Sequence, residues 1–236
     1  FVCGSLPRGI DISIYEEIIK ICKNNNIKLI LDTSSKEVLE YLHHGVYLIK
    51  PNDEELADFF NIKHPLSVEE IEIYAKKLIE MGCEKILVSR GEYGAIYFDK
   101  NHTVAVTAPK GVVVNTACSG DTLLGTFIGK SYLGETIEMA LAYASASASS
   151  TAFTEGITNF ENVPELLKQV NIDIIFFFLL VVKAIISFYL INEKKKSILN
   201  IPSISNEKAN KIYYYNRRLN LVIAIYFFLN AMYSYQ

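Results

Sequence analysis

The feature that most constrains the fold is an alternation of short apolar runs and amphipathic segments between residues 10 and 153. Residues 27–31 and 46–49 are brief apolar runs, whereas residues 10–24 carry apolar side chains at helical spacing. Strands that alternate with helices pair in parallel, because each helix returns the chain to the same end of the sheet. The sequence therefore predicts an α/β fold, a parallel sheet with helices on both faces.

The same criteria predict the remaining elements. Further helices are expected at 35–43, 53–60, 67–81, 120–133 and 137–153, and further strands at 84–88, 94–98, 104–108 and 111–114. Ser67 and Glu70 have the spacing of a capping box, in which each side chain accepts a hydrogen bond from the other residue's backbone amide. The helix at 137–153 contains a run of alanine and serine that favours close packing, against the sheet or against a flat ligand such as a purine.

The stretch that most suggests chemistry is residues 115–125, Asn-Thr-Ala-Cys-Ser-Gly-Asp-Thr-Leu-Leu-Gly. The valines at 112–114 precede it and a helical pattern follows, which predicts a strand, a tight turn and a helix. Backbone amides at a helix start lack partners and lie at the positive end of the helix dipole, so they bind anions such as phosphate. A carboxylate there, Asp121, suits phosphoryl transfer, in which a base takes a proton from the attacking hydroxyl. The alternative is that Asp121 only caps its helix.

Other candidate residues follow other predicted strands, and ligands of open parallel sheets bind beyond the carboxyl ends of the strands. Asn52 can cap a helix, with Glu55 a solvated first-turn acid. Ser89, Gly91 and Gly94 form a glycine pattern that is weak evidence for a nucleotide site. The remaining polar or flexible positions are Asp32, favoured as a turn residue; Lys50, near a phosphate or solvated; and Gly156, which ends the helix at 137–153.

Taken in order, these motifs resemble the PfkB (ribokinase-like) carbohydrate kinase family. The motifs are Gly-Ser-Leu-Pro-Arg-Gly at 4–9, Lys-Pro-Asn-Asp-Glu-Glu-Leu at 50–56, Ser-Arg-Gly-Glu-Tyr-Gly-Ala at 89–95 and the stretch ending at Asp121. The first of them is most similar to the branch that contains 1-phosphofructokinase and tagatose-6-phosphate kinase. The resemblance implies a Rossmann-like sheet and phosphorylation of a sugar phosphate with ATP and Mg²⁺. Fructose 1-phosphate, giving fructose 1,6-bisphosphate, is the expected substrate, ahead of tagatose 6-phosphate.

The resemblance also implies roles for the acid and the turn before it. Asp121 would be the catalytic base, and the amides of Cys118, Ser119 and Gly120, with its own, would form an anion hole. The family usually has Gly-Ala where this chain has Cys118 and Ser119. A non-glycine residue that must adopt positive φ loses about 1 kcal/mol or more, so Cys118 is the departure with a consequence.

The ATP and metal contacts are likewise implied by the resemblance. Asn52 and Glu55 would arrange Mg²⁺, through water molecules, around the phosphates. The predicted ATP contacts are Ser89, Gly91, Gly94, Lys50 and Gly156, the last as part of the adenine pocket.

Charge and cysteine content exclude other classes of function. The net charge is −3, and the first 170 residues contain no basic stripe, so nucleic acid is not expected as a partner. The four cysteines are scattered without metal-ligand or paired spacing, as in proteins of a reducing cytosol. The expected location is cytoplasmic.

The composition divides the chain into two parts, a kinase-like domain at 1–172 and a tail at 173–236. The resemblance covers the C-terminal part of the family's chain, so a fold truncated at its N-terminus is expected. The family's sugar-binding residues and lid, which often forms a homodimer contact, come mainly from the missing part. We therefore expect an inactive fragment, with a nucleotide-binding remnant or a pseudogene product as alternatives.

The tail contains no glycine and is rich in Ile, Phe, Tyr, Asn and Lys. Residues 174–191 are apolar over a length that can cross a bilayer. The basic segment that follows should remain cytoplasmic by the positive-inside rule, which would place the kinase-like part outside, away from ATP. Read-through into unrelated sequence is therefore favoured over a membrane anchor.

Overall fold

The computed structural model describes residues 1–4, 6, 7 and 9–174. Ser5, Arg8 and residues 175–236 lie outside this range, and so does the expectation of a membrane-associated stretch at 174–191, apart from the backbone of its first residue. Within the described residues, no helix has the length and apolar character needed to cross a bilayer.

A seven-stranded sheet forms the centre of the described fold, with its strands in chain order. Neighbouring strands are parallel from β1 to β4 and antiparallel from β4 to β7. The strands are β1 (Val2–Cys3), β2 (Ile30–Asp32), β3 (Val46–Ile49), β4 (Cys83–Ser89), β5 (Ala95–Asp99), β6 (Thr103–Val106) and β7 (Ile172–Ile174).

Helices connect the parallel strands and cover the sheet. They are α1 (Ile14–Asn24), α2 (Asp53–Phe59), α3 (Val68–Glu80), α4 (Ser119–Tyr132), α5 (Ile137–Phe153) and α6 (Val163–Leu167), with 3-10 helices at Lys36–His44 and Gly91–Tyr93. The predicted capping box of α3 is confirmed, because Ser67 Oγ accepts from the Glu70 amide and the Ser67 amide donates to the Glu70 carboxylate. The predicted helix at 35–43 is a 3-10 helix instead.

Alternate residues of each strand face opposite layers of helices. Leu31 and Ile49 pack with α1, α2 and α3 on one face, whereas Ile30 and Leu48 pack with α4 and α5 on the other. The predicted α/β fold with helices on both faces is confirmed. This alternation also decides which helix the polar residues at the strand ends will meet.

The strand predicted at 111–114 is wrong. Val112 is 82% exposed, and Val113 and Val114 are also exposed. The position beside β6 is already occupied by β7, so the valines have no strand to pair with. Instead the Val114 amide donates to the carbonyl oxygen of Ala152 at 2.8 Å, and the loop passes along the end of α5 before it reaches α4.

Gly156 does not end α5. The helix stops at Phe153, and Thr154 follows it in an extended conformation. Gly156 lies two residues further on, exposed and with a φ of 78°.

Candidate active site

Three polar side chains lie in a row across the carboxyl ends of β1, β2 and β3. Cys3 pairs with Asp32 in register, and Lys50 is the next residue along β3 after the pairing of Leu31 with Ile49. Asp32 and Lys50 therefore have the same orientation as Ile30 and Leu48, toward α4 and α5. Lys50 Nζ lies 3.1 Å from Asp32 Oδ1.

Lys50 is buried, whereas the sequence allows two interpretations, a lysine near a phosphate or a solvated lysine. Only 5% of the residue is exposed, so the interpretation as a solvated lysine is wrong. The interpretation of Asp32 as a turn residue missed its ion pair with this lysine. The backbone amide of Lys50 donates to the carbonyl oxygen of Leu31 at 2.9 Å, which fixes the lysine beside β2.

The start of α4 faces this ion pair. A Cβ atom on Gly120 would lie 3.4 Å from Lys50 Nζ, so the ammonium group is next to the first turn of α4. Cys118 precedes the helix in a left-handed conformation, with φ 62° and ψ 1°. The conformation that would make cysteine costly at this position is therefore present.

The backbone amides of the predicted anion hole are not equivalent. The Ser119 amide donates to the carbonyl oxygen of Thr116 at 3.1 Å, and Ser119 Oγ is a buried atom without a partner among the described residues. The backbone amides of Cys118, Gly120 and Asp121 donate no hydrogen bond to any other described residue. These three amides are available to an anion at the positive end of the α4 dipole.

Asp121 is exposed in the first turn of α4 and makes no capping hydrogen bond. It directly follows Gly120, whose added Cβ atom would lie 3.4 Å from Lys50 Nζ, so it starts the helix beside the strand-end residues, and its charge helps to raise the pKa of Cys3. Cys3 is exposed as a residue, and partial loss of hydration of its thiol is the largest cause of that rise, followed by the charges of Asp32 and Asp121. The carboxylate of Asp121 therefore belongs to the same edge of the sheet as Asp32 and Lys50.

Asn52 and Glu55 form a complete capping box at the start of α2. Asn52 Oδ1 accepts from the Glu55 amide at 2.7 Å, and the Asn52 amide donates to Glu55 Oε2 at 2.8 Å. Both residues are half-buried, so Glu55 is not simply a solvated acid. A parallel bridge joins Asn52 to Ser89, which brings the loop after β3 beside the loop after β4.

The two glycines of the loop that follows Ser89 differ in the space around them. Gly91 has a φ of 53° and open space around it, as a ligand contact requires. Gly94 is buried with a φ of 91°, and a Cβ atom there would collide with the carbonyl oxygen of Val106. The packing of its own hairpin thus explains Gly94, and contact with ATP stays a prediction for both glycines.

Arg90 lies in this loop, and the sequence pattern gives no reason to single it out. Its guanidinium group is 5.4 Å from the centre of the Tyr93 ring, and its Nε is buried without a hydrogen-bond partner among the described residues. Orphaned buried donors are uncommon, so Arg90 is a polar group still available to a ligand.

The segment that contains Gly156 is attached to the C-terminal half of α5. Ser150 Oγ lies 2.8 Å from Thr158 Oγ1 and donates to Asn162 Oδ1 at 2.5 Å. The alanines of the Ala-Ser run pack into the core, as the packing interpretation requires. No described contact joins Gly156 to the row at the strand ends, and its place in an adenine pocket stays a prediction.

Comparison with known proteins identifies relatives of one kind. A sequence profile of the pfkB family carbohydrate kinases matches residues 1–164. D-tagatose-1-phosphate kinase of Bacillus licheniformis is 46% identical over 172 residues, which cover 73% of this chain and 57% of the relative. 1-Phosphofructokinase of Bacillus subtilis is 33% identical over 171 residues, covering 72% of this chain and 56% of the relative. The chain thus spans just over half the length of these curated relatives.

Solved structures have the same fold over the same part of the chain. A candidate phosphofructokinase from Staphylococcus aureus matches with a TM-score of 0.66 and 32% identity, covering 73% of this chain and 56% of that one. Arabidopsis thaliana ribokinase, complexed with ribose and ATP, matches with a TM-score of 0.57 and 25% identity, covering 68% of this chain and 54% of that one.

Proposed function

This chain belongs to the pfkB family of carbohydrate kinases, and on that premise we propose that it provides the phosphoryl-transfer edge of a sugar-phosphate kinase. One observation carries the proposal. The carboxylate of Asp121 lies on a helix start with three amides available to an anion, and the buried ammonium group of Lys50 lies against the same turn. A base beside fixed positive groups is what the reaction needs.

In the proposed mechanism Asp121 accepts the proton of a sugar hydroxyl while the oxygen of that hydroxyl attacks the γ-phosphorus of ATP. The new oxygen–phosphorus bond forms while the bond to the leaving ADP breaks, and negative charge is shared by the transferred oxygens. The amides of Cys118, Gly120 and Asp121 would donate to those oxygens. Lys50 would add a positive charge that is already in place and needs little reorganisation.

Asn52 and Glu55 fit the arrangement of a hydrated Mg²⁺. Each presents an oxygen to its partner's amide, and each oxygen keeps a further lone pair for a metal-bound water. When bound, Mg²⁺ would offset the negative charge of the phosphates. The capping box holds both side chains still, on a helix whose start adjoins Ser89.

We propose a ketohexose 1-phosphate as the sugar, phosphorylated at its 6-hydroxyl. Two curated relatives support this choice, one a D-tagatose-1-phosphate kinase and the other a 1-phosphofructokinase. Fructose 1-phosphate is the substrate expected from the sequence, and the more similar relative adds tagatose 1-phosphate. Tagatose 6-phosphate ranks behind both.

The length of the match bears on activity. The chain corresponds to 57% of the D-tagatose-1-phosphate kinase, and by the family resemblance the sugar-binding residues belong mainly to the rest. Positioning supplies much of the rate of phosphoryl transfer. We therefore propose that residues 1–236 alone bind ATP but do not turn over sugar phosphate at a useful rate.

The test combines binding with reconstruction. Calorimetry with ATP and Mg²⁺ on residues 1–236 measures the nucleotide site alone. A chimera joining this chain to the part of the Bacillus licheniformis relative that it does not match is then assayed for ADP release with fructose 1-phosphate, tagatose 1-phosphate and tagatose 6-phosphate. We expect turnover with a ketohexose 1-phosphate, lowered about 10²- to 10⁴-fold by Asp121→Asn.

The outcomes separate the alternatives. ATP binding by the chain without turnover by the chimera would favour a nucleotide-binding remnant, and absence of binding would favour an inert product. Turnover unaffected by Asp121→Asn would remove the base from the mechanism. Ordinary turnover by residues 1–236 alone would contradict the proposal that this chain binds ATP but lacks useful kinase activity by itself.

A further inference from the structure

The ion pair between Asp32 and Lys50 is costly where it stands. A buried ammonium group loses its hydration, and one carboxylate seldom compensates fully for that loss. Lys50 Nζ also lies against the first turn of α4, at the positive end of the helix dipole, where a cation is unfavourable. Asp32 is its one acidic partner among the described residues.

Such a concentration of positive charge has a use if an anion arrives. Register fixes the pair, since β2 and β3 place Asp32 and Lys50 side by side, facing α4. The carboxylate can therefore hold the ammonium group in one place before a ligand binds. From there the ammonium group and the amides of α4 converge on the same ligand.

We propose that Asp32 is a positioning residue, which holds the Lys50 ammonium group under the first turn of α4 so that both meet the phosphates of the nucleotide. This inference rests on the proposed function and adds a residue to it. Asp32 acts through Lys50 and touches neither the sugar nor the transferred group.

The proposal and simple charge repulsion predict opposite changes in ATP affinity when the charge of Asp32 is removed. Asp32 is itself an anion near the phosphate site, so repulsion alone would make ATP bind more tightly when its charge is removed. Positioning predicts weaker binding instead, because the ammonium group is released from its place. The sign of the change in ATP affinity therefore distinguishes the two explanations.

The test measures ATP–Mg²⁺ and adenosine affinities by calorimetry on residues 1–236, with melting followed by circular dichroism to confirm folding. Asp32→Asn should weaken ATP about tenfold, a typical cost of losing a charge-assisted contact. Adenosine has no phosphates, so its affinity should stay within about twofold. Asp32→Glu keeps the charge and should recover most of the ATP affinity. Asp58→Asn, an exposed acid on α2, is the matched control and should change nothing.

The double variant shows whether the effect passes through the lysine. In a Lys50→Met background, Asp32→Asn should leave ATP affinity unchanged or raise it, because no cation remains to be held. The inference is overturned if Asp32→Asn weakens ATP equally in that background, weakens adenosine as much as ATP, or has no effect while the unchanged chain binds ATP. Absence of ATP binding by the unchanged chain would overturn the proposed function itself, and this inference with it.

Discussion

The backbone amide of Thr122 donates to the carbonyl oxygen of Cys118 at 2.9 Å, so the first turn of α4 closes on a residue in the left-handed conformation. This conformation is open to glycine and costly for residues with a Cβ atom. The helix start thus stores strain at the point where the anion hole begins.

Cys118→Gly should raise the free energy of unfolding by about 1 kcal/mol, because glycine adopts positive φ without this cost. Urea denaturation of the two proteins gives the difference. Cys118→Ala is the control, since it removes the thiol but keeps the Cβ atom. A gain as large with alanine as with glycine would mean that the thiol, not the backbone, is responsible.

Asn52→Ala should cost about 1 kcal/mol of stability through loss of the α2 cap. It should also weaken binding of ATP in the presence of Mg²⁺, because the proposed metal waters lose an acceptor. The chain contains its own control, the second capping box at Ser67.

Ser67→Ala should have a similar effect on stability and none on nucleotide binding. Denaturation and calorimetry on the two variants test both expectations. Equal effects on ATP binding would show that Asn52 acts only as a cap.

How far the sequence predicts this fold depends on the separation of the residues involved. The capping box at Ser67 needs only residues three apart, and it is confirmed. The valines at 112–114 resemble a strand, yet the partner that excludes them from the sheet, β7, comes about 60 residues later. Local pattern carries no information on that pairing.

The site shows the same division. Asp121 and the turn before it are contiguous and can be identified from residue types alone. The pairing of Asp32 with Lys50 joins two strands, and it becomes visible only when the register of β2 and β3 is known. The sequence alone therefore gives two separate interpretations, Asp32 as a turn residue and Lys50 as a lysine that is either near a phosphate or solvated.

Gly94→Ala should destabilise the protein strongly, by about 2 kcal/mol or more, because a Cβ atom would combine positive φ with a collision against the next strand. Gly91→Ala is the matched comparison, since its φ is also positive but its surroundings are open. Thermal denaturation of the two variants separates the cost of positive φ, which both share, from the cost of the collision, which only Gly94→Ala has. Equal losses would show that backbone conformation, not the hairpin packing, accounts for Gly94.

The reactivity of Cys3 reports the position of Asp121. Partial loss of hydration and then the charges of Asp32 and Asp121 raise the pKa of Cys3, so less thiolate is present at a given pH and alkylation is slow. Asp121→Asn removes one negative charge, which lowers the pKa of Cys3 and increases the thiolate fraction. Alkylation by iodoacetamide at pH 8 should therefore become about twofold faster, a change of the size expected for one partly screened charge.

Peptide mass spectrometry follows Cys3 separately from Cys118, because both cysteines are exposed and both can react. The acceleration should diminish as salt is added, because the interaction is electrostatic, and it should vanish at a pH well above the raised pKa, where both proteins carry the thiolate. Asp58→Asn should leave the rate unchanged. If Asp121→Asn also leaves it unchanged at low salt, the carboxylate is not near the end of β1, and the site described at this edge of the sheet is wrong.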